Sequence, residues 1–220
     1  MRHLLIDHEF DYLIWCYGQE NSFIRKLQNQ CLGLPTTTHF GIPSSFDSHV
    51  QHGKRGLFVL DDLMQTAGNS TELTNLFCNR VQHDNVSVIL LLQNLFYHGK
   101  ERMTLLRCAH YLVIFRTPLD ATIPYHLAHR ILPSHRKDFL ELFHYATRGA
   151  HSYLFIDGHQ TTPPFARFRT RIFDHNIQHV LVLSSDSQSI PTSYTHHGQN
   201  EIKRSGDEEA AAQAQTSASH

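Results

Sequence analysis

Long hydrophobic runs and an excess of charge of either sign are both missing from this sequence. The longest apolar stretch, near Val88 to Leu92, is far too short to span a bilayer. The first residues contain no apolar core of a signal peptide. These features predict an intracellular protein, nuclear or cytoplasmic, with no membrane partner. The formal net charge of −1 gives no global signal for nucleic acid, so any such contact needs a local patch.

Clustered metal or redox motifs are also missing. Four cysteines are scattered along the chain without a CxxC pair, which predicts reduced, partly buried thiols; they are Cys16, Cys31, Cys78 and Cys108. The 19 histidines form no HExxH or C₂H₂ pattern. We therefore attribute the histidines to the composition of exposed faces and predict no dedicated zinc site.

The most informative segment that is present runs from Gly56 to Asp62, with the sequence GLFVLDD. Such an apolar run is typical of a strand buried on both faces of a parallel sheet. Carboxylates at its carboxyl end would lie at the rim, where α/β folds bind ligands. In a nucleoside triphosphatase this is the Walker B element, whose first carboxylate holds Mg²⁺ and whose second polarises water. The alternative is that the two acids form the N-cap and first turn of a helix.

A second apolar strand follows about thirty residues later and ends in Gln93. A polar residue at the tip of the strand beside a Walker B strand occupies the usual sensor position. There, an amide can contact a γ-phosphate or the attacking water. The offset of Gln93 from Asp61 and Asp62, across one predicted helix, favours this interpretation.

Strands and helices alternate through the rest of the chain up to residue 183. Strands are predicted near residues 12–18, 110–116 and 152–158. Helices are predicted near 21–30, after Asn69, near 99–108, from Asp120 to Ile131, and from Ser134 to Thr147. Residues 32–54 are predicted to be a connecting loop in which Phe40 and Phe46 act as anchors. This pattern predicts an α/β domain, a parallel sheet with helices on both faces.

The two C-terminal segments have distinct compositions. Arginines alternate with apolar residues in an edge strand predicted over residues 165–173, with Arg167, Arg169 and Arg171 as a basic outer row. From residue 184 to 220 the chain is mostly Ser, Thr, Gln, Ala and charged residues, which predicts a disordered tail. We therefore divide the sequence into a domain at 1–183 and a tail at 184–220.

Several strings, taken in order, resemble one protein family. They are IWCYG at 14–18, LFVLDDLM at 57–64, NSTELTNLF at 69–77, VSVILLLQNLFYHGK at 86–100, AHYLVIFRTPLD at 109–120, and HSYLFIDGHQTTP at 151–163 followed by RFRTRIF at 167–173. Together they resemble the genome-packaging ATPases of the FtsK/HerA type found in Maverick/Polinton elements, in adintovirus-like viruses and, more distantly, in poxviruses. The resemblance implies an ASCE-type P-loop NTPase that forms a homo-oligomeric ring and uses ATP and Mg²⁺ to drive double-stranded DNA into a capsid.

The resemblance assigns roles to residues that match its motifs. Asp61 would be the Mg²⁺ ligand, Asp62 the carboxylate that polarises water, and Gln93 the sensor. One of three arginines, Arg102, Arg107 or Arg116, would contact the phosphate of a neighbouring subunit, and all three stay open as candidates, each with an ordinary surface role as the alternative.

The family's phosphate-binding motif, GxxxxGK[ST], is missing. The two Gly-Lys pairs, Gly53-Lys54 and Gly99-Lys100, lack the flanking residues of that motif. The motif supplies the amide cradle, the phosphate lysine and the Mg²⁺ hydroxyl. We therefore expect an incomplete P-loop NTPase sheet, without its P-loop strand, that does not hydrolyse ATP. A truncated gene copy would explain this, and two inner strands would be left with open edges.

Two other interpretations remain. The chain could be a non-enzymatic, domesticated or decayed fragment that acts at most as an interaction module, with the Arg167, Arg169 and Arg171 row as its one local basic feature for phosphates. Alternatively, it could be an unrelated α/β protein in which Asp61 and Asp62 cap a helix.

Overall fold

The computed structural model describes residues 10–28, 33–96, 98–117, 121–173, 179–182 and 201–204. Two compact units make up the chain, residues 1–109 and residues 110–220. The predicted boundary between an ordered domain and a tail, at residues 183 and 184, lies outside the described residues. Within the described residues, no helix is long or apolar enough to cross a membrane.

The first unit contains a four-stranded parallel sheet in the order β2-β1-β3-β4. Its strands are β1 (Tyr12–Tyr17), β2 (Thr36–Phe40), β3 (Gly56–Asp61) and β4 (Val86–Leu91). Its helices are α1 (Ser22–Gln28), α2 (Met64–Ala67), α3 (Thr71–Cys78) and α4 (Arg102–Cys108), with short 3-10 turns at Asp47–His49 and Arg80–Gln82. The predicted parallel α/β sheet is confirmed for this unit.

Helices cover this sheet on both faces because β1 and β3 are apolar throughout. Alternate residues such as Ile14 and Phe58 pack with Leu73 and Leu76 of α3 and with Leu105 of α4. The other set, Leu13, Trp15, Leu57 and Val59, packs against Ile24 and Leu27 of α1. Strands buried on both faces are what a near-continuous apolar run predicts.

The edge strand β2 lies inside the segment that was predicted to be a loop. Its sequence, TTTHF, pairs with β1 from Leu13↔Thr36 to Tyr17↔Phe40. β-Branched threonines favour strands, but their polarity conceals the apolar run by which the other strands were predicted. Of the two proposed anchors, Phe46 is fully buried, whereas Phe40 is 68% exposed.

The second unit contains a separate sheet in the order β5-β6-β7-β8-β9. Its strands are β5 (Tyr111–Phe115), β6 (Tyr153–Asp157), β7 (Phe168–Thr170), β8 (His179–Val182) and β9 (Glu201–Arg204), and its helices are α5 (Thr122–Ile131) and α6 (Arg136–Ala146). A 3-10 turn spans Pro164–Ala166. β5 to β8 pair antiparallel, and β8 pairs parallel with β9.

The prediction that residues 110–116 and 152–158 belong to a parallel sheet is therefore wrong. Two helices, α5 with 10 residues and α6 with 11, separate β5 from β6. A single helix between two strands carries the chain back to the start of the first strand, which favours a parallel pair. Two helices of similar length instead carry the chain away and back again, to the end where β5 finished. The next strand then runs back along β5, with Tyr111 opposite Asp157.

Two predictions near the C-terminus differ from the structure. The segment around Arg169 was predicted to be an edge strand, but β7 pairs with β6 on one side and β8 on the other. Residues Glu201–Arg204 lie in the segment predicted to be disordered and form β9. The rest of residues 184–220 lies outside the described residues.

Candidate functional site

Asp61 and Asp62 lie at the carboxyl end of β3, as the apolar run before them predicts. Asp61 is the last residue of the strand and pairs with Tyr17 on one side and Leu91 on the other. Asp62 has a φ of 54°. This left-handed conformation is uncommon for a residue other than glycine, although aspartate tolerates it better than most. The turn at Asp62 ends the strand and leaves the two carboxyl groups half-buried at the edge of the sheet.

Gly18 allows β1 to end directly against this turn. Its backbone N–H donates a hydrogen bond to the Asp61 carbonyl oxygen at 3.0 Å. A Cβ atom at position 18 would overlap the backbone carbonyl group of Asp62. The sequence does not reveal this close approach, because it involves residues more than forty positions apart.

Gln93 and Asp62 are in direct contact at the ends of adjacent strands. The Gln93 side-chain amide Nε2 donates to Asp62 Oδ1 at 2.9 Å. This contact follows from the topology, since β3 and β4 are parallel neighbours with Asp61 opposite Leu91. The structure therefore brings together the acid pair and the amide that the sequence analysis singled out.

Asp61 and Asp62 do not cap the next helix, α2, which was the alternative interpretation of the acid pair. The N-cap position of α2 is Leu63, and no side chain makes a capping hydrogen bond there. The following helix, α3, is capped by Ser70, whose side chain accepts a hydrogen bond from the Leu73 N–H at 3.1 Å. A helix after Asn69 was expected from the sequence, and Asp62 bonds to Gln93 rather than capping a helix.

The Asp61 carboxyl group is held where ionisation is disfavoured. Burial raises its pKa above the ordinary value, and the negative charge of Asp62 raises it further. The side chain of Trp15, which lies on the same face of the sheet, partly offsets this by lowering the pKa. Within the described residues, the buried Trp15 indole N–H makes no hydrogen bond of regular geometry. A cation between the two carboxylates would relieve their repulsion.

The acid pair fits a hydrated Mg²⁺ ion. Mg²⁺ is usually held by one or two carboxylates and completes its octahedral shell with water and phosphate oxygens. In the described part of the chain, no group of three or more His, Cys, Asp and Glu side chains is placed to hold a metal ion. The two carboxylates at this end of β3 are those of Asp61 and Asp62, and Gln93 holds the Asp62 carboxylate by its hydrogen bond.

The chain offers carboxylates for a metal ion but no recognisable loop to anchor the phosphates of a nucleotide. The sequence has no GxxxxGK[ST] motif to provide the amide cradle and the phosphate lysine. Gly53 and Lys54 precede β3 and so lie at the opposite edge of the sheet, where the Lys54 amine donates to Gln51 Oε1 at 2.9 Å. Gly99 lies against the backbone of Gly68 in the loop before α4.

The three candidate arginines occupy different places. Arg102 is the first residue of α4 and is half-buried. The preceding residue, Glu101, donates its N–H to the Gly68 carbonyl oxygen at 2.9 Å, which holds the start of α4 near the loop that follows β3. Arg107 is exposed in the last turn of α4, at the other end of the helix, and Arg116 is exposed after β5 in the second unit. Of the two in the first unit, Arg102 is on the side of Asp62.

Two members of the predicted basic row of Arg167, Arg169 and Arg171 make hydrogen bonds inside the second unit. Arg169 Nη2 donates to Asp157 Oδ2 at 2.8 Å, and its Nε donates to the Ala166 carbonyl oxygen at 2.8 Å. Arg167 Nε donates to the Thr162 carbonyl oxygen at 3.3 Å. The row is therefore largely used inside the second unit.

The cysteine prediction is wrong for one pair. Cys78 and Cys108, the last residues of α3 and α4, form a disulfide with a Cα–Cα distance of 5.3 Å. Cys16 is a free, buried thiol, and burial raises its pKa to about 12. Cys31 lies outside the described residues. Widely separated cysteines carry no spacing signal, so this pairing was not visible in the sequence.

Comparison of the chain with protein-family models, with curated proteins and with solved structures gives no match.

Proposed function

We propose that this chain carries the metal-binding and sensor half of an FtsK/HerA-type DNA-packaging ATPase and does not hydrolyse ATP by itself. The observation that carries the proposal is the hydrogen bond between Gln93 Nε2 and Asp62 Oδ1, at the ends of adjacent parallel strands. An acid pair at a strand end is common. The resemblance implies a sensor amide at the tip of the strand beside the acid pair, and the contact of Gln93 with Asp62 is consistent with that placement.

The strand order gives a second line of support. Within the described sheet, β4 pairs only with β3, so its outer edge is open. The resemblance puts the P-loop strand beside the sensor strand, which corresponds to this edge. A chain that lacks the P-loop strand would have an open edge at this place.

In the proposed roles, this chain's residues would hold and orient the ion but not the nucleotide. Asp61 would coordinate Mg²⁺, and Asp62 would coordinate it or polarise water while Gln93 fixes its carboxylate. Mg²⁺ would supply charge neutralisation at the phosphates of ATP in a complete enzyme. Of the two candidate arginines in the first unit, Arg102 lies on the side of Asp62 and Arg107 at the other end of α4, while all three arginines stay candidates for a contact with a neighbouring subunit. A homo-oligomeric ring and double-stranded DNA are the partners that the resemblance implies.

A non-enzymatic role as an interaction module is the second candidate. Two observations favour it: the sequence lacks the phosphate-binding motif, and the outer edge of β4 is open within the described sheet. Both candidates predict no ATP hydrolysis, but only the first predicts a metal site at Asp61.

The proposal is tested with Mn²⁺ as a paramagnetic substitute for Mg²⁺. Mn²⁺ added to the isotope-labelled full chain is expected to broaden the amide resonances of Asp61, Asp62 and Gln93, and excess Mg²⁺ is expected to reverse the broadening. Asp61→Asn should abolish the effect. Glu141→Gln, which removes an exposed carboxylate on α6, is the matched control and should leave it unchanged.

Calorimetric titration with Mg·ATP completes the test. We expect no heat that depends on Asp61, because the phosphates have no anchoring loop. Micromolar binding that disappears in Asp61→Asn would contradict the proposed inactivity and show that another segment replaces the loop. Uniform or absent Mn²⁺ broadening at the ends of β3 and β4 would contradict the metal assignment and favour the interaction module.

A further inference from the structure

The two faces of the second sheet differ in exposure along its edge strand β5, whereas in β6 the residues of both faces are largely buried, with Phe155 at 9% and Ile156 at 5%. One face, with Ile114, Leu154, Ile156 and Phe168, is buried, and Phe139 of α6 packs edge-on against Phe168 at 5.9 Å. On the other face, Tyr111 is 54% exposed, Val113 44% and Phe115 55%. Such a row of exposed apolar side chains on a single strand is characteristic of an interaction surface.

The exposed rings are held in place by their neighbours. The Tyr111 ring lies 5.4 Å from that of Phe155 and 4.8 Å from that of His159. The His159 ring is stacked on that of His110 at 4.7 Å, with an interplanar angle of 15°. These contacts restrain the Tyr111 ring, and the residue remains 54% exposed.

A second set of rings lies at the other end of β5. Phe115 is 5.8 Å from Tyr153, and Tyr153 is 6.4 Å from Phe173, which is 39% exposed. The Tyr153 hydroxyl accepts a hydrogen bond from the Ile172 N–H at 3.1 Å. We call Tyr111, Val113, Phe115, Tyr153 and Phe173 the aromatic face. Because its rings are already ordered, a planar ligand would bind with little loss of side-chain entropy.

The charges around the aromatic face are mostly positive. Segments 110–117 and 151–173 contain one carboxylate, Asp157, and four arginines, which are Arg116, Arg167, Arg169 and Arg171. The Asp157 side chain is 7% exposed and is neutralised by Arg169, while its Oδ1 also accepts from the backbone N–H of His159 at 3.1 Å. Arg116, next to Phe115, and Arg171 are exposed. The surface is therefore complementary to an anion that also has flat apolar groups.

We propose that the aromatic face binds single-stranded nucleic acid, with bases stacked on Tyr111 and Phe115 and phosphates near Arg116 and Arg171. Successive bases offer planar groups and a phosphate at every step, which matches rings bordered by cations. Tyr111 and Phe115 are four residues apart on one strand, roughly 13 Å, so they would contact different bases. Paired bases in a duplex cannot lie flat on these rings, so a duplex fits less well. This site is independent of the acid pair in the first unit.

The test is fluorescence anisotropy of a labelled oligothymidylate about twelve nucleotides long, titrated with the full chain without metal or nucleotide. Tyr111→Leu and Phe115→Leu are each expected to weaken binding about 5- to 100-fold, and Tyr111→Phe should bind like the wild type. Tyr125→Leu is the matched control, because Tyr125 is a 59% exposed aromatic residue on α5 and is not a member of the aromatic face. Circular dichroism of each variant checks that it is folded. If Tyr111→Leu does not fold, the test is made with Phe115→Leu.

Salt dependence tests the phosphate contact. Arg116→Gln should reduce the slope of log K against log salt concentration by about 0.7. The proposal is overturned if the wild-type chain does not bind the oligonucleotide, if a duplex of the same length binds equally well, or if Tyr125→Leu loses as much affinity as Phe115→Leu.

Discussion

At the scale of single residues, the candidate site depends on Gly18, a residue that has no side chain. Gly18 lies against the carbonyl group of Asp62, and Asp62 adopts a left-handed conformation. The acid pair and Gln93 could be chosen from the sequence because strand ends are visible in it. The contact of Gly18 with Asp62 could not, since it arises only when β1 and β3 pair in their observed register.

We expect Gly18→Ala to destabilise the first unit by about 1–3 kcal/mol, because the new methyl group would force two backbone segments apart. Urea unfolding followed by the fluorescence of Trp15, the one tryptophan of the chain, measures this unit directly. An unchanged urea midpoint for Gly18→Ala would contradict the close approach.

At the scale of elements, the apolar strands were predictable and the polar one was not. β1, β3 and β4 are nearly continuous apolar runs, whereas β2 is rich in threonine and was predicted to be a loop. The direction of β6 was also mispredicted, although both helices that determine it, α5 and α6, were expected. Strand direction depends on how helices pack in three dimensions, and their sequence spacing does not specify that.

The disulfide between α3 and α4 leads to a stability prediction at this scale. It closes a loop with a sequence separation of 30 residues, for which the chain-entropy relation gives a stabilisation of roughly 3–4 kcal/mol. We expect a reducing agent to lower the urea midpoint of the wild-type chain by a corresponding amount. The double variant Cys78→Ser/Cys108→Ser should be as unstable as the reduced wild type and insensitive to the reductant.

Alkylation of the unreduced protein followed by mass spectrometry provides the check. Labelling of Cys78 and Cys108 without prior reduction would contradict the disulfide.

At the scale of the whole molecule, the chain has two units, each with its own sheet, where the sequence analysis expected one ordered domain. Alternating strands and helices predict an α/β composition, and that composition is present. The pattern cannot tell whether successive strands join one sheet or two, because the apolar run of β5 resembles those of β3 and β4. Only the pairing of Tyr111 with Asp157 shows that β5 belongs to a different sheet.

The second unit should be sensitive to acid through Asp157. Burial disfavours the ionised carboxylate, but the hydrogen bonds from His159 and Thr162 and the charge of Arg169 outweigh it, so the pKa of Asp157 is below the ordinary value of 3.8. The resulting stabilisation is complete above the unfolded pKa and is lost as the pH falls through the folded pKa. We therefore expect the second unit to lose stability below about pH 4.

Asp157→Asn should remove this acid-dependent step and destabilise the unit at pH 7 by about 1.5–3 kcal/mol, because Arg169 loses its ionised partner. Hydrogen exchange at pH 7 is expected to rise in β5, β6 and β7, with β1 and β3 as an internal reference. Thermal unfolding of the variant between pH 7 and about pH 3 completes the measurement. If the acid transition of the wild type persists in Asp157→Asn, a titratable group other than Asp157 causes it.

The disulfide also determines how the chain would respond to mechanical force. If the two ends of the protein were pulled apart, tension would pass from Cys78 to Cys108 through the sulfur atoms. The residues between them, which include β4 and Gln93, would form a slack loop that carries no load. A pulling experiment would therefore show a contour length shorter by about 30 residues than in the reduced chain, roughly 100 Å, with the Gln93 segment spared from extension.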